Sequence, residues 1–114
     1  MTEVINISGK DVAFKATGST LRRYREKFGR DLFKDFNTLM NGEVTGESMD
    51  SLQNLAYIMA KQADDSVPDN INDWLDGFDA FPFNDIALPI VNLWKKSNIT
   101  IAEQKKAPSR RAVK

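Results

Sequence analysis

The sequence predicts a mainly helical α+β protein, in which a short N-terminal β-hairpin precedes about five helices in one compact domain. Two short β-branched runs open the chain, and after residue 19 apolar residues recur at helical spacing. With 114 residues, of which 41% are hydrophobic, the chain is long enough for a single core. We therefore expect a domain over residues 1–97, followed by a flexible, disordered basic tail over residues 98–114.

The hairpin is predicted from the runs Val4–Ile7 and Val12–Ala16, which are separated by the turn-forming residues 8–11. A two-stranded hairpin is marginally stable in water, so it must lie on helices or gain a third strand. The alternating segment 98–101 is one candidate for that strand, and a strand from a neighbouring copy is the other.

The first predicted helix begins near Ser19, which with Thr17 is a candidate cap, and ends at Gly29. The second follows Asp31 and is broken by the pair Asn41-Gly42. Helical spacing predicts their apolar faces to be Leu21, Tyr24 and Phe28 in the first helix, and Leu32, Phe33, Phe36, Leu39 and Met40 in the second.

The longest helix is predicted over about 48–63, after a loop at 43–47. Asn70 then caps a short helix, and residues 84–85 open a last helix in which Pro89 removes one backbone hydrogen bond and introduces a kink. The expected core positions of these three helices are Leu52, Leu55, Ala56, Tyr57, Ile58, Met59 and Ala63, then Ile71, Trp74, Leu75 and Phe78, and finally Ile86, Ala87, Ile90, Val91, Leu93 and Trp94.

Composition argues against most catalytic chemistry. The chain has no cysteine and no histidine, so it lacks a thiolate nucleophile, the usual general base and the commonest metal ligand. The acidic loop 64–69 does not match the ligand spacing of a calcium loop, and the carboxylates Asp73, Asp76 and Asp79 are typical of a solvated helix face. We expect no enzyme activity, no cofactor and no metal. No apolar run of membrane-spanning or signal-peptide length is visible, which predicts an intracellular protein with no membrane partner.

Charge is segregated along a chain whose formal net charge is zero. Residues 1–17, 18–42, 43–85 and 86–114 carry net charges of 0, +3, −9 and +6. This pattern suggests self-association through opposite charges, although solvated helix faces would have the same composition. The candidate residues for such pairing are Arg22, Arg23, Arg25, Asp73 and Asp76.

Aromatic residues are concentrated between positions 74 and 94. Some must belong to the core, but aromatic residues that remain at a surface are typical anchors of protein interfaces. The candidate partner-binding residues are Tyr57, Trp74, Phe78, Phe81, Phe83 and Trp94. A nucleic-acid interface on the basic helix 21–28 and the tail is a competing interpretation, but the acids of block 43–85 would repel phosphates and the aromatics of that helix fall on its apolar stripe.

Three segments together resemble one known family. They are TLRRYREKFGRDLFKDF at 20–36, LAYIMAKQAD at 55–64 and WLDGFDAFPFNDIALPIVNLW at 74–94. In order and spacing they are similar to the tail assembly chaperones of long-tailed, siphovirus-type phages and prophages of Gram-positive bacteria. The likeness covers most of residues 1–97, including the N-terminal hairpin.

This resemblance implies a role in virion morphogenesis in the host bacterial cytoplasm. Such proteins hold the helical tape-measure protein soluble, help to recruit tail-tube subunits and are absent from the mature virion. That role would need several copies along one partner chain, and the segregated charge and the unsupported hairpin edge offer ways for copies to associate as a homo-oligomer. The family also implies a longer form made by a programmed frameshift, for which the codons of Gln104-Lys105-Lys106 are a candidate site. The alternatives are a small nucleic-acid-binding or regulatory module and a structural subunit of the particle.

Overall fold

A computed structural model describes residues 2–106 of the chain, and side chains over residues 2–97. Within that range the chain forms one two-stranded sheet and five helices, which confirms the predicted mainly helical α+β fold. The elements are β1 (Thr2–Ile7), β2 (Lys10–Lys15), α1 (Thr20–Phe28), α2 (Leu32–Met40), α3 (Gly46–Ala63), α4 (Ile71–Leu75) and α5 (Phe83–Lys106).

The hairpin is antiparallel, and its register runs from Thr2 opposite Lys15 to Ile7 opposite Lys10. Alternation buries one of its faces, so that Ile5, Ile7 and Phe14 belong to the core. β1 lies against α5 and β2 against α3, which is how a two-stranded sheet is supported here. Residues 98–101, one of the two candidates for a third strand, belong instead to α5.

Local signals place the C-terminal end of α1 and the start of α2 where the sequence predicts them, whereas Ser19, a candidate cap of α1, precedes the helix without a capping hydrogen bond from its side chain. Gly29 adopts a left-handed conformation with φ of 65°, and its amide donates to Arg25 O at 2.8 Å. Asp31 precedes α2, and its carboxylate accepts a hydrogen bond from the Phe33 amide at 3.0 Å.

α3 is the central helix, and α1, α2, α5 and β2 all pack against it. It begins two residues earlier than predicted, because Thr45 and Ser48 form a capping box. The Thr45 hydroxyl accepts from the Ser48 amide at 3.0 Å, and the Ser48 hydroxyl accepts from the Thr45 amide at 2.8 Å. Its buried apolar residues are Leu52, Leu55, Ala56, Tyr57, Ile58, Met59 and Ala60.

α5 begins at Phe83, one residue before the predicted start, and continues through Pro89. It also continues past Ser97 as far as Lys106, so the predicted boundary at residue 97 falls inside a helix. The rest of the predicted flexible tail, 107–114, lies outside the described residues.

Candidate functional site: an apolar surface on α2

Two of the five exposed large apolar side chains of the described residues lie on α2. Phe33 is 55% exposed and Met40 is 47% exposed, whereas Phe36 between them is buried. These three residues lie on one side of the helix, because their spacing of three, four and seven residues matches the helical repeat. We call Phe33, Phe36, Met40 and the Trp94 ring, which packs against the two phenylalanines, the α2 surface.

Trp94 of α5 forms the floor of this surface. Its ring centroid lies 4.7 Å from that of Phe36 and 5.9 Å from that of Phe33, and Trp94 itself is only 1% exposed. Phe33 therefore packs edge-on against a rigid support while more than half of it faces solvent. An exposed aromatic ring above a buried one is the arrangement expected of an interface anchor.

A buried polar cluster holds α2 against α1. The Asp35 carboxylate accepts hydrogen bonds from Arg30 Nε and from a terminal Arg30 nitrogen, both at 2.7 Å, and from the Tyr24 hydroxyl at 2.5 Å. The Arg30 hydrogen bonds are the main reason that the pKa of Asp35 lies below its ordinary value. Burial, followed by the Asp35 carboxylate, raises the pKa of the Tyr24 hydroxyl. The cluster fixes the position of the helix that presents Phe33 and Met40.

The aromatic residues predicted to bind a partner lie mostly inside the protein. Tyr57, Trp74, Phe83 and Trp94 are buried, and Phe78 and Phe81 are half-buried. Four rings surround that of Trp74, whose centroid lies 5.7 Å from that of Tyr57, 5.2 Å from Phe78, 5.9 Å from Phe81 and 6.5 Å from Phe14. The structure thus brings most of the predicted set together, but as a core cluster.

Phe33 and Met40 belong to the predicted apolar face of α2, but the structure buries only part of that face and leaves these two residues exposed. The apolar positions of α2 cover an arc from Leu39 to Phe33, which is about 120° wide at 100° per residue. Met40 and Phe33 lie at one margin of that arc, whereas the buried residues Leu39, Leu32 and Phe36 occupy the rest. Their marginal position on the arc is the sequence signal that could have identified both residues as exposed.

The charged residues predicted for self-association all lie at the surface. Arg22, Arg23 and Arg25 are exposed on α1, and Asp73 and Asp76 are exposed on and directly after α4. Among the described residues the ion pairs are Arg30–Asp35 and Lys61–Asp69, so the two sets are not paired within one molecule. They remain open to contacts with other molecules.

A polar cleft of about 650 Å³ lies between α1, α3 and the acidic loop 64–69. Lys61 Nζ crosses it to the Asp69 carboxylate at 3.0 Å, and that contact lowers the pKa of Asp69. Arg23 Nε donates to the Ser19 hydroxyl at 3.0 Å, and Lys27 Nζ donates to Asp69 O at 2.6 Å. Lys27, Lys61 and Arg23 therefore all contact other groups of the protein. The contacts of the two lysines with Asp69 connect the acidic loop to α1 and α3.

The described residues show neither a metal cluster nor a membrane span. Over the side chains of residues 2–97, no group of three or more acidic side chains is placed to hold a metal ion. Among the helices of residues 2–106, none combines the length and the apolar character that crossing a bilayer requires.

Comparisons of the chain with protein-family models, with curated proteins and with solved structures found no match.

Proposed function

We propose that this protein is an assembly chaperone that binds apolar helical segments of another protein through the α2 surface. The observation that carries the proposal is that α2 exposes both Phe33 and Met40, with the Phe33 ring packed against buried Trp94. Asp35 of the same helix is held by Arg30 and Tyr24. An amphipathic helix placed on this surface would remove apolar area on both molecules from water.

The biological role we propose is that of a phage tail assembly chaperone in the host bacterial cytoplasm. The likeness of segments 20–36, 55–64 and 74–94 to that family supports this role, and the α2 surface suits it physically. A tape-measure chain exposes apolar helix until the tail tube surrounds it, so it needs a partner that covers such helices and then leaves. Recruitment of tail-tube subunits through a longer frameshifted form belongs to the same proposal.

The first test is co-expression with the tape-measure protein encoded near this gene. We expect the partner to stay soluble and to co-purify at both low and high salt, because apolar burial is not weakened by screening. A partner that remains insoluble with this chain, and also with the longer form, contradicts the proposal. Capture that disappears steeply as salt rises would favour the alternative in which the basic helix and tail bind nucleic acid.

Phe33→Asp and Leu88→Asp form a matched pair of variants for locating the binding surface. Both residues are exposed apolar side chains, at 55% and 65%, and both substitutions add one charge. We expect Phe33→Asp to reduce the co-purified partner by about tenfold or more, as loss of an interface anchor does, and Leu88→Asp to have little effect. Equal losses in the two variants would show that the α2 surface is not the binding site.

A further inference from the structure

A groove of about 520 Å³ runs beside β2, between this strand and the segment that contains the acidic loop and α4. It is separate from the α2 surface and shares no residue with it. The residues that line it on the strand side are Lys10, Asp11, Val12 and Ala13, four consecutive positions. Because neighbouring strand residues point to opposite faces, a groove that touches all four runs along the backbone edge of β2.

The backbone of β2 is open toward this groove. Ser8 and Gly9 both have positive φ, 53° and 87°, which defines a two-residue type I′ turn closed by the pair Ile7 and Lys10. Hydrogen-bonded pairs alternate along an antiparallel ladder, so Val12 bonds to β1. Asp11 and Ala13 direct their amides and carbonyls away from it. Among the described residues, these backbone groups have no protein partner.

The groove combines apolar walls with unpaired carboxylates. The Lys10 amine is already engaged, since it donates to Gly77 O at 2.5 Å and lies 6.0 Å above the Phe78 ring. Among the described residues, none of the three acids that line the groove belongs to an ion pair. The apolar lining is Val12, Val67, Trp74 and Phe78, and the acidic lining is Asp11, Asp64 and Asp73.

We propose that residues 107–114 of a second copy of this chain bind in this groove as a third strand beside β2. This inference depends on the groove and not on the proposed function. The segment reads Ala-Pro-Ser-Arg-Arg-Ala-Val-Lys, with three cations and no acid, opposite a lining that has three acids and one lysine. Strand addition satisfies the open backbone of β2, and charge complementarity selects the occupant.

The alternation of the segment fits the two faces of the groove. In an extended chain Arg111 and Val113 share one face, and Arg110, Ala112 and Lys114 share the other. The first face suits the side of Val12, Trp74 and the acidic loop. The second suits the outer face of the hairpin, which carries Asp11 and Ala13. Five residues of strand need about 16 Å, and the segment supplies them after Pro108.

The length of chain that follows Ser97 assigns the segment to a second copy. The Ser97 hydroxyl lies 3.4 Å from Ala16 O, next to the end of β2, and α5 then continues for nine residues, or about 13 Å, to Lys106. To reach Ala13, the chain must cover that length again and then pass the three residues from Ala16 to Ala13, which adds about 10 Å. The four steps from Lys106 to Arg110 span at most about 14 Å when extended, which is too short to bring Arg110 of the same copy to the groove.

The test is disulfide crosslinking between two full-length variants, one of which carries a tag. The natural chain has no cysteine, so a crosslink can form only at introduced positions. Tagged Ala13→Cys is mixed with Ala112→Cys and oxidised mildly, and the heterodimer is quantified by its mass. Asn84→Cys, an exposed position at the start of α5, replaces Ala13→Cys in the matched control.

We expect the Ala13→Cys mixture to give several-fold more heterodimer than the Asn84→Cys mixture. Adding Arg111→Glu to the Ala112→Cys chain should remove that excess, because a glutamate would face the acids of the groove. Equal yields from the two mixtures, or an excess that Arg111→Glu does not change, would overturn the proposal.

Sedimentation equilibrium gives a second readout that needs no cysteine. We expect self-association of the natural chain, weakened by about tenfold or more in Arg111→Glu and restored when Arg111→Glu is mixed with Asp73→Arg. A natural chain that remains monomeric at millimolar concentration would overturn the proposal independently of the crosslinking result.

Discussion

Phe33 and Trp94 pack edge to face with their ring centroids 5.9 Å apart, yet one is 55% exposed and the other 1%. The pair joins the surface of α2 to the core helix α5. Phe33 is consequently ordered by the core without being part of it. This combination is useful for binding, because an anchor that is already fixed loses little conformational entropy when a partner arrives.

Stability should depend very differently on two neighbouring phenylalanines of α2. Phe33→Ser should lower the free energy of unfolding by at most about 1 kcal/mol, because most of the ring is already in water. Phe36→Ala should lower it by about 3 to 5 kcal/mol, because it removes a buried ring from the side of Trp94 and leaves a cavity. Urea denaturation of both variants measures the two values. Similar losses in both would mean that Phe33 is a core residue after all.

The buried carboxylate of Asp35 should be important for stability. Asp35→Ala leaves the Tyr24 hydroxyl without its acceptor and Arg30 without its ion-pair partner. The Arg30 side chain is 48% exposed and can be rehydrated, so we expect a loss of about 2 to 4 kcal/mol, at the low side of the range for broken buried pairs. Tyr24→Phe, which leaves the Arg30 contact intact, should cost about 1 kcal/mol. The interpretation would be refuted if Tyr24→Phe were the more damaging variant in urea denaturation.

The same cluster predicts an acid-dependent loss of stability. The pKa of Asp35 is lower in the folded chain than in the unfolded chain, so the unfolded state binds more protons at acidic pH. The contribution of Asp35 to stability is fully present above the unfolded pKa, about 3.9, and is lost as pH falls through the folded pKa.

The free energy of unfolding, measured by urea denaturation from pH 7 downward, should fall less steeply below about pH 4 in Asp35→Asn than in the natural chain. Asp64 and Asp69 also have lowered pKa values, but both are retained in the variant and so cancel in the comparison. Parallel curves would rule out this role for Asp35.

The hairpin turn offers a prediction of increased stability. Ser8 has a φ of 53°, which costs a non-glycine residue energy but suits asparagine. Ser8→Asn should therefore raise the free energy of unfolding by up to about 1 kcal/mol, whereas Gly9→Val should lower it by about 1 to 2 kcal/mol, since Gly9 has a φ of 87°. Thermal unfolding of the two variants, followed by circular dichroism, should show melting temperatures that shift in opposite directions. A shift in the same direction for both would contradict the type I′ turn.

Several elements could be predicted because their signals are local. Gly29 and Asp31 mark the junction between α1 and α2 by backbone conformation and side-chain capping, which need no other part of the chain. Asn70 starts α4 in the same way, by accepting hydrogen bonds from the amides of Asn72 and Asp73. The hairpin was predicted from alternation and a turn, which also act over a few residues.

Residues 98–101 show where local pattern was insufficient. Asn-Ile-Thr-Ile alternates like a strand, but it follows the strongly periodic helix that begins at Phe83, and extending a helix requires no new nucleation. Strand formation there would have needed a free edge at the correct position. Alternation alone contains no information about such an edge.

Which apolar residues remain exposed could not be predicted from the sequence, for a related reason. From the sequence one could identify the aromatic residues and the helices that carry them, because composition and helical period are properties of short segments. Which rings are buried depends on how the helices pack. Trp74 packs against Tyr57, Phe78 and Phe81, whereas Phe33 of α2 packs against Trp94 and remains 55% exposed. Burial is a relation between segments distant in the chain, so only the packed structure shows that Phe33 and Met40 are exposed to solvent whereas Trp74 and Trp94 are buried.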